Sequence, residues 1–226
     1  MKKVVIGIVL KHYKKDSIRL DTVSHDEVKQ AIFDNGAIAI GIIPPNIGKN
    51  KATNNWEDTL TQKEKEDFIY QINMCDGIIL QGGLFSDVYE CVIAKYCYDN
   101  NIPILGICAG SQNMVRAVGG KVHNVDNPNS HKSTDEYVHS IKINKDSIFY
   151  KIIGKDQIMV NSRHENSAKE LGSLTIAAIS NDGVIESVED KNKKFYLAVQ
   201  FHPESLYKKD ENMNNIFKAF IDVCKK

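Results

Sequence analysis

The chain lacks any surplus of charge: Lys plus Arg and Asp plus Glu each total 29, so the formal net charge is zero. That balance offers no general electrostatic attraction to nucleic acid or to an anionic membrane surface. A long apolar run is also missing. The longest, around Val4–Leu10 and Gly36–Ile43, fall well short of the ~18 residues that cross a bilayer and read instead as buried strands. Lys2 and Lys3 precede the first run, but it has no small-residue cleavage site and leads into His12, Lys14, Lys15 and Asp16, unlike a secretory signal. The reading is a cytoplasmic protein that binds neither nucleic acid nor membrane.

No Cys-x-x-Cys pair occurs among the five cysteines, at positions 75, 91, 97, 108 and 224, and their number is odd. This excludes a disulfide framework and a cysteine zinc site, and every cysteine except Cys108 reads as a small buried hydrophobe. There is no helical His-Glu-x-x-His. His123, His131 and His139 are widely spaced and read as lone surface residues, so no metal is expected. Neither a Walker-type phosphate loop nor Gly-x-Gly-x-x-Gly after a strand is present, which leaves no case for a nucleotide, and no cofactor is expected. Without an internal repeat or a Gly/Ser- or Pro-rich linker, the 226 residues read as one domain.

What is present is an alternation of strands and helices. Val4–Leu10 is apolar on both faces, as a strand covered from both sides must be. Ser24 with Glu27 resembles a capping box opening a helix through Val28, Ala31 and Ile32, and Asn35-Gly36 stops it. Ile38–Ile43 is a second strand closed by Pro44-Pro45. A polar loop, 46–55, follows, then a helix capped by Thr61 and Glu64 with Phe68, Ile69 and Ile72 on its apolar face. Gly77–Leu80 is a third strand ending in Gly82-Gly83, Ser86 caps the next helix, and Ile102–Ile107 is a fourth strand. This rhythm predicts an α/β fold: a flavodoxin-like, open, mostly parallel sheet with helices on both faces and ligands beyond the carboxyl ends of its strands. After Val125 the connections shorten. Strands at His139–Ile143, Gln157–Asn161 and Thr175–Ser180, then a hairpin of Val184–Val188 and Phe195–Gln200 around a charged turn, predict a smaller antiparallel extension in the C-terminal half, closed by a helix over 214–224.

Cys108 stands at the end of the fourth strand in Gly106-Ile107-Cys108-Ala109-Gly110. Glycines two positions away on either side are what a nucleophile elbow needs, because the strand-to-helix turn is too tight for side chains there. A helix beginning at this point favours a thiolate, and the Ala109 amide would face an oxyanion. Taken alone, the segment also fits an ordinary turn with a buried cysteine. A cysteine nucleophile needs a base, and in Gln200-Phe201-His202-Pro203-Glu204 the side chains of His202 and Glu204 point the same way in extended chain. Glu204 could then hold one imidazole nitrogen while the other faces Cys108, although His-Pro-Glu alone also fits a surface turn. Gly82-Gly83 belongs on the same rim, as a simple turn or as part of an oxyanion hole. Asn161-Ser162-Arg163-His164-Glu165 ends another strand. There Arg163 suits a carboxylate by its fork geometry, and a solvated loop is the alternative.

Together these residues resemble the class I glutamine amidotransferase-like superfamily, and more closely its gamma-glutamyl-gamma-aminobutyrate hydrolase branch of cysteine peptidases. The resemblance is carried by Ile6-Gly7-Ile8, Gly82-Gly83, Asp87-x-x-Glu90, Pro103–Gln112, Gly119-Gly120, Val160–His164, Asp182-Gly183-x-x-Glu186 and Val199–Glu204. It implies Cys108 as nucleophile, His202 as base and Glu204 as its orienter. It further implies the amides of Gly83 and Ala109 as oxyanion hole, with Gln112, Ser162, Arg163 and His164 as substrate contacts. The branch usually carries arginine after the nucleophile, a longer insertion where only Leu84, Phe85 and Ser86 stand, and His-Gln where this chain has Glu165-Asn166. The expectation is a hydrolase that cleaves the gamma-glutamyl amide bond of a small gamma-glutamyl amine through a thioester on Cys108, with a homodimer left open. The alternatives are a glutaminase subunit that delivers ammonia to a separate synthetase partner, and a catalytically silent binding protein.

Overall fold

The computed structural model describes residues 3–14, 20–44, 51–83 and 87–225. Val5–Val9 forms β1, with Ile6, Ile8 and Val9 buried. Lys11–Lys14 (β2) and Leu20–Val23 (β3) then pair as an antiparallel hairpin where the sequence suggests only a polar stretch. The next helix, Asp26–Asp34 (α1), buries Val28, Ala31 and Ile32 as its spacing predicts, but the expected Ser24–Glu27 capping box is not formed. His25 is the N-cap, and the Ser24 hydroxyl turns to the His25 carbonyl. The cause is tertiary: the Gln81 side-chain oxygen accepts the His25 N–H at 2.7 Å, and this fixes the chain one residue later than the local signal.

Ile38–Ile42 (β4), Gln62–Asn73 (α2), Gly77–Leu80 (β5), Val88–Asp99 (α3), Ile104–Ile107 (β6) and Ala109–Ala117 (α4) complete the alternation. Thr61 and Glu64 form the reciprocal capping box expected of them. Ser86 lies outside the described residues; the N-cap of α3 is Asp87, whose N–H donates to the Glu90 carboxylate at 3.2 Å. Residues 46–50 of the polar loop also lie outside the described residues. The rest of the loop is pinned, since Asn54 exchanges two hydrogen bonds of 2.9 Å with the backbone of Val122.

The second half contributes Lys121–Asn124 (β7), a 3-10 turn at Pro128–Ser130, His139–Ile143 (β8), Ile148–Ile153 (α5), Gln157–Val160 (β9), Asn166–Glu170 (β10) and Thr175–Ser180 (β11). Ile185–Glu189 (β12), Tyr196–Val199 (β13), a second 3-10 turn at Pro203–Ser205 and Glu211–Cys224 (α6) follow. Among the described residues the main sheet has nine strands in the order β4-β1-β5-β6-β13-β12-β11-β8-β9. β4, β1, β5, β6 and β13 run parallel, and β12, β11, β8 and β9 extend the sheet by antiparallel pairing. β7 and β10 form a separate antiparallel pair.

Both faces of the parallel half are covered. Ile8, Leu105 and Leu197 face a core shared with Phe149, Phe217 and Phe220, while Ile78, Ile104 and Tyr196 face one shared with Phe68, Ile93 and Met114. Each such side chain contributes about 1.5–3 kcal/mol by leaving water. In α6, Met213, Ile216, Phe217, Phe220, Ile221 and Cys224 are buried at the helical spacing that makes one stripe. Glu189 is buried at the end of β12, its carboxylate accepting the N–H groups of Ile148 (2.7 Å) and Phe149 (3.0 Å) that open α5. No helix among the described residues is long and apolar enough to cross a membrane.

Candidate functional site

The site lies where β6 and β13 end side by side, with Ile107 paired to Val199. The Cys108 N–H donates to the Val199 carbonyl at 2.9 Å, and the chain then reverses at once into α4, of which Cys108 is the N-cap. The cost is a backbone at φ 50°, ψ −108°, a conformation that L-residues rarely adopt. The flanking glycines are required by contact. A Cβ on Gly110 would sit 2.0 Å from the Leu80 carbonyl oxygen, and one on Gly106 would sit 2.4 Å from the Met114 sulfur. The turn therefore has the geometry of a nucleophile elbow, with the first amides of α4, including that of Ala109, at a helix start that favours negative charge.

Three residues past Val199, His202 turns its ring back over Cys108. Its Nδ1 and Glu204 Oε1 are 2.7 Å apart, which leaves Nε2 for the Cys108 sulfur, close enough to act on the ring's charge. Burial alone would push this imidazole's pKa down; the Glu204 carboxylate and then the Cys108 sulfur outweigh it and hold it well above 6.5. The set is closely enclosed, since Cys108 and Glu204 are buried and the His202 side chain is 13% exposed. Gly82 closes it from β5. A Cβ there would come within 2.8 Å of the His202 ring and 3.4 Å of Cys108 Cβ. The other four cysteines lie elsewhere in the fold. Burial pushes the Cys91 and Cys97 thiols well up, Cys75 up to about 11 and Cys224 up to about 12.

The rim around this set is held by contacts that the sequence motifs do not reveal. Asn161, buried at the end of β9, grips the backbone of His202 from both sides. Gly83 rests over the stem of Lys11, 3.4 Å from where its Cβ would be, and the Lys11 ammonium pairs with the fully buried Glu90 at 2.6 Å. Asn113 of α4 donates to the same carboxylate at 2.8 Å, so the loop after β5 and the helix after Cys108 share one buried charge pair. The spacing Asp87-x-x-Glu90 marks the helix start but gives no sign of the lysine, which comes from β2.

Of the residues expected to touch substrate, Gln112 donates to the Asn166 carbonyl at 3.1 Å and lies 3.4 Å from the Gln200 side-chain oxygen. Arg163 is exposed and donates to the Ser205 hydroxyl at 3.0 Å, next to Glu204. The Ser162 hydroxyl is spent on the His131 carbonyl at 2.7 Å, and His164 is buried with its Nε2 toward Glu186. Two expectations about histidines are corrected here. His131 has no exposed side-chain surface and His139 is 14% exposed, and both pack with His164 around Glu186 instead of standing alone on the surface. Their ring nitrogens converge from separate segments of the chain, so no spacing in the sequence could reveal them.

A family model described as Peptidase C26 matches residues 84–204, just over half of the chain, including Cys108, His202 and Glu204. The chain belongs to the Peptidase C26 family. One subunit of the glutamine-hydrolyzing GMP synthase of Picrophilus torridus is 33% identical to this C26 chain over 156 residues, 67% of this chain and 78% of that one. The CTP synthase of Sulfurisphaera tokodaii is 29% identical over 237 residues, which cover 90% of this chain and 42% of the longer protein. The chain spans 42% to 64% of the length of three curated relatives. The glutaminase domain of Trypanosoma brucei CTPS with bound acivicin matches at a TM-score of 0.73, over 98% of this chain and 94% of that one, with 20% identity. This C26 protein therefore has the class I glutamine amidotransferase-like fold, in a family of cysteine hydrolases.

Proposed function

We propose that the protein hydrolyses a gamma-glutamyl amide bond through a glutamyl thioester on Cys108. The observation that carries this reading is the enclosed set of Cys108, His202 and Glu204, with His202 Nδ1 2.7 Å from the Glu204 carboxylate, on a strained turn at the carboxyl rim of the sheet. His202 takes the thiol proton, and the sulfur attacks the amide carbon. The resulting oxyanion is met by the N–H groups of Gly83 and Ala109. As the C–N bond breaks, His202 returns the proton to the departing amine, leaving the glutamyl thioester. Water, deprotonated by the same imidazole, then adds to the thioester carbon and expels the Cys108 sulfur, releasing glutamate. Glu204 keeps the ring oriented and favours its charged form. Gln112 and Arg163 are the side chains assigned to the glutamyl group, with Ser162 and His164 supporting them from behind.

A small gamma-glutamyl amine is the substrate class favoured by the family resemblance. Free glutamine contains the same bond, and the similarity to the GMP synthase polypeptide of Picrophilus torridus supports a second reading, a glutaminase that passes ammonia to a synthetase partner. Glutamate release from a panel of gamma-glutamyl amines and glutamine, with Cys108→Ala as the blank, tests both. Cysteine-dependent release from one amine supports the free-standing hydrolase. Release from glutamine alone supports the partnered glutaminase, and no release from any amide overturns the hydrolytic reading.

A further inference from the structure

Beside the cysteine site, three histidines from separate segments converge on one buried carboxylate oxygen. Glu186 Oε1 lies 3.2 Å from His131 Nδ1, 3.4 Å from His164 Nε2 and 3.4 Å from His139 Nε2. Glu186 and His131 have no exposed side-chain surface, and His164 is 1% exposed. None of these four facing atoms makes a hydrogen bond of acceptable geometry. The opposite edges of two of the rings explain why. His131 Nε2 is 3.0 Å from the Asp182 carboxylate, and His164 Nδ1 is 3.1 Å from the Asn166 carbonyl. Both partners are acceptors, so those nitrogens carry protons, and the inner nitrogens are left to meet Glu186 through either a second proton or a metal ion. Atoms brought this close to a carboxylate in a dry interior repel unless a proton or a cation lies between them.

We propose that His131, His164 and Glu186 form a zinc-class metal site, with His139 beside it. Bonds of about 2.0–2.1 Å in a tetrahedron place neighbouring donor atoms about 3.3–3.4 Å apart, close to the 3.2 and 3.4 Å that separate Glu186 Oε1 from His131 Nδ1 and His164 Nε2. The atoms from His131, His164 and Glu186 also all lie within 4.8 Å of one another. Imidazole nitrogen with one carboxylate suits zinc among the abundant divalent ions. The outer partners follow the pattern of metal-bound histidines, with a carboxylate (Asp182) and a backbone carbonyl (Asn166) fixing ring and tautomer. Glu186 and Asp182 together balance a charge of two, and the partial exposure of His139 gives the ion an entry path.

The ion would act as a staple. It ties the loop at His131 and the segment after β9 to β12, and that segment begins with Asn161, which holds His202. The test uses the untagged full chain purified without chelator: metal content by mass spectrometry, zinc affinity of the stripped protein by competition with a chromophoric chelator, and the visible spectrum after Co²⁺ addition. One zinc per chain, lost in His131→Ala and in Glu186→Gln and retained in the exposed-histidine variant His123→Ala, is expected, with the intense absorption of tetrahedral Co²⁺. Should either ligand variant fail to fold, the stoichiometry and Co²⁺ spectrum of the unmodified chain still decide. No zinc taken up by the stripped protein overturns the site. So does unchanged binding in folded ligand variants, or NMR showing His131 as a doubly protonated imidazolium in chain to which zinc has been added.

Discussion

Asn161 holds His202 by its backbone: the Asn161 side-chain amide donates to the His202 carbonyl and accepts the His202 N–H, each at 2.8 Å. Both backbone groups of the proposed base are thus held by one buried residue, and the carbonyl also accepts the Ser205 N–H at 3.3 Å. Removing the amide leaves the His202 N–H unpaired and its carbonyl with that longer bond alone, at a cost of about 1–3 kcal/mol. Asn161→Ala is therefore expected to lower Tm and to reduce kcat by about ten- to a hundredfold, with a smaller effect on KM. Steady-state kinetics beside a thermal melt checks this, and an unchanged kcat in the folded variant would show that the clamp is not what places the ring.

The elbow makes a prediction about stability that is independent of substrate. Cys108 adopts φ 50°, a conformation that costs a non-glycine residue about 1–3 kcal/mol. Relieving it should stabilise the fold even though the proposed nucleophile is lost. Cys108→Gly is expected to unfold at a higher denaturant midpoint than Cys108→Ala, and both should be inactive. Equal midpoints would mean that the backbone at this turn is not strained in solution.

Much of the fold could be read in the chain because its signals are local. Thr61 and Glu64, Gly36 after α1, and the apolar runs of β1, β5, β6 and β13 lie beside the structures they specify. The elbow and His202 with Glu204 were legible for the same reason, since each acts within a few residues. Most of the rest depends on contacts across the chain. The β7–β10 pair, the Lys11–Glu90 charge pair and the histidines around Glu186 depend on residues that local patterns do not connect; the β2–β3 hairpin is local, but its polar strands carry no apolar run to mark them. Ser24 shows the reverse case: a correct local cap pattern was overruled by Gln81 from a distant loop.

The raised pKa of His202 has two removable causes. The Glu204 carboxylate and the Cys108 sulfur together overcome the burial that opposes them. Histidine NMR should show the His202 titration moving to lower pH both in Cys108→Ala and in Glu204→Gln. Linkage gives the sign for stability: a raised folded-state pKa contributes fully below about 6.5, the unfolded value, and the contribution is lost as pH rises through the folded-state pKa. The stability gap between the unmodified chain and Glu204→Gln should accordingly be widest below that range and narrow in alkali. A gap independent of pH would mean that the carboxylate does not charge the ring.

The Lys11–Glu90 pair tests whether the loop at Gly83 is held from below. Glu90 is fully buried, its carboxylate contacted at 2.6 Å by the Lys11 ammonium and at 2.8 Å by Asn113, and the stem of Lys11 lies under Gly83. Burial already pushes this carboxyl pKa up against the pull of Lys11. Lys11→Met keeps most of the stem but deletes the charge, leaving a buried carboxylate without its cation, which costs about 3–5 kcal/mol. The double variant Lys11→Met with Glu90→Gln removes both charges and should recover much of that loss. If the pair only holds the fold together, kcat will follow stability and return in the double variant. If the ammonium also fixes the Gly83 amide toward the oxyanion, kcat will remain depressed in a double variant whose melting is restored, and kinetics with melts on the three proteins distinguishes the two outcomes.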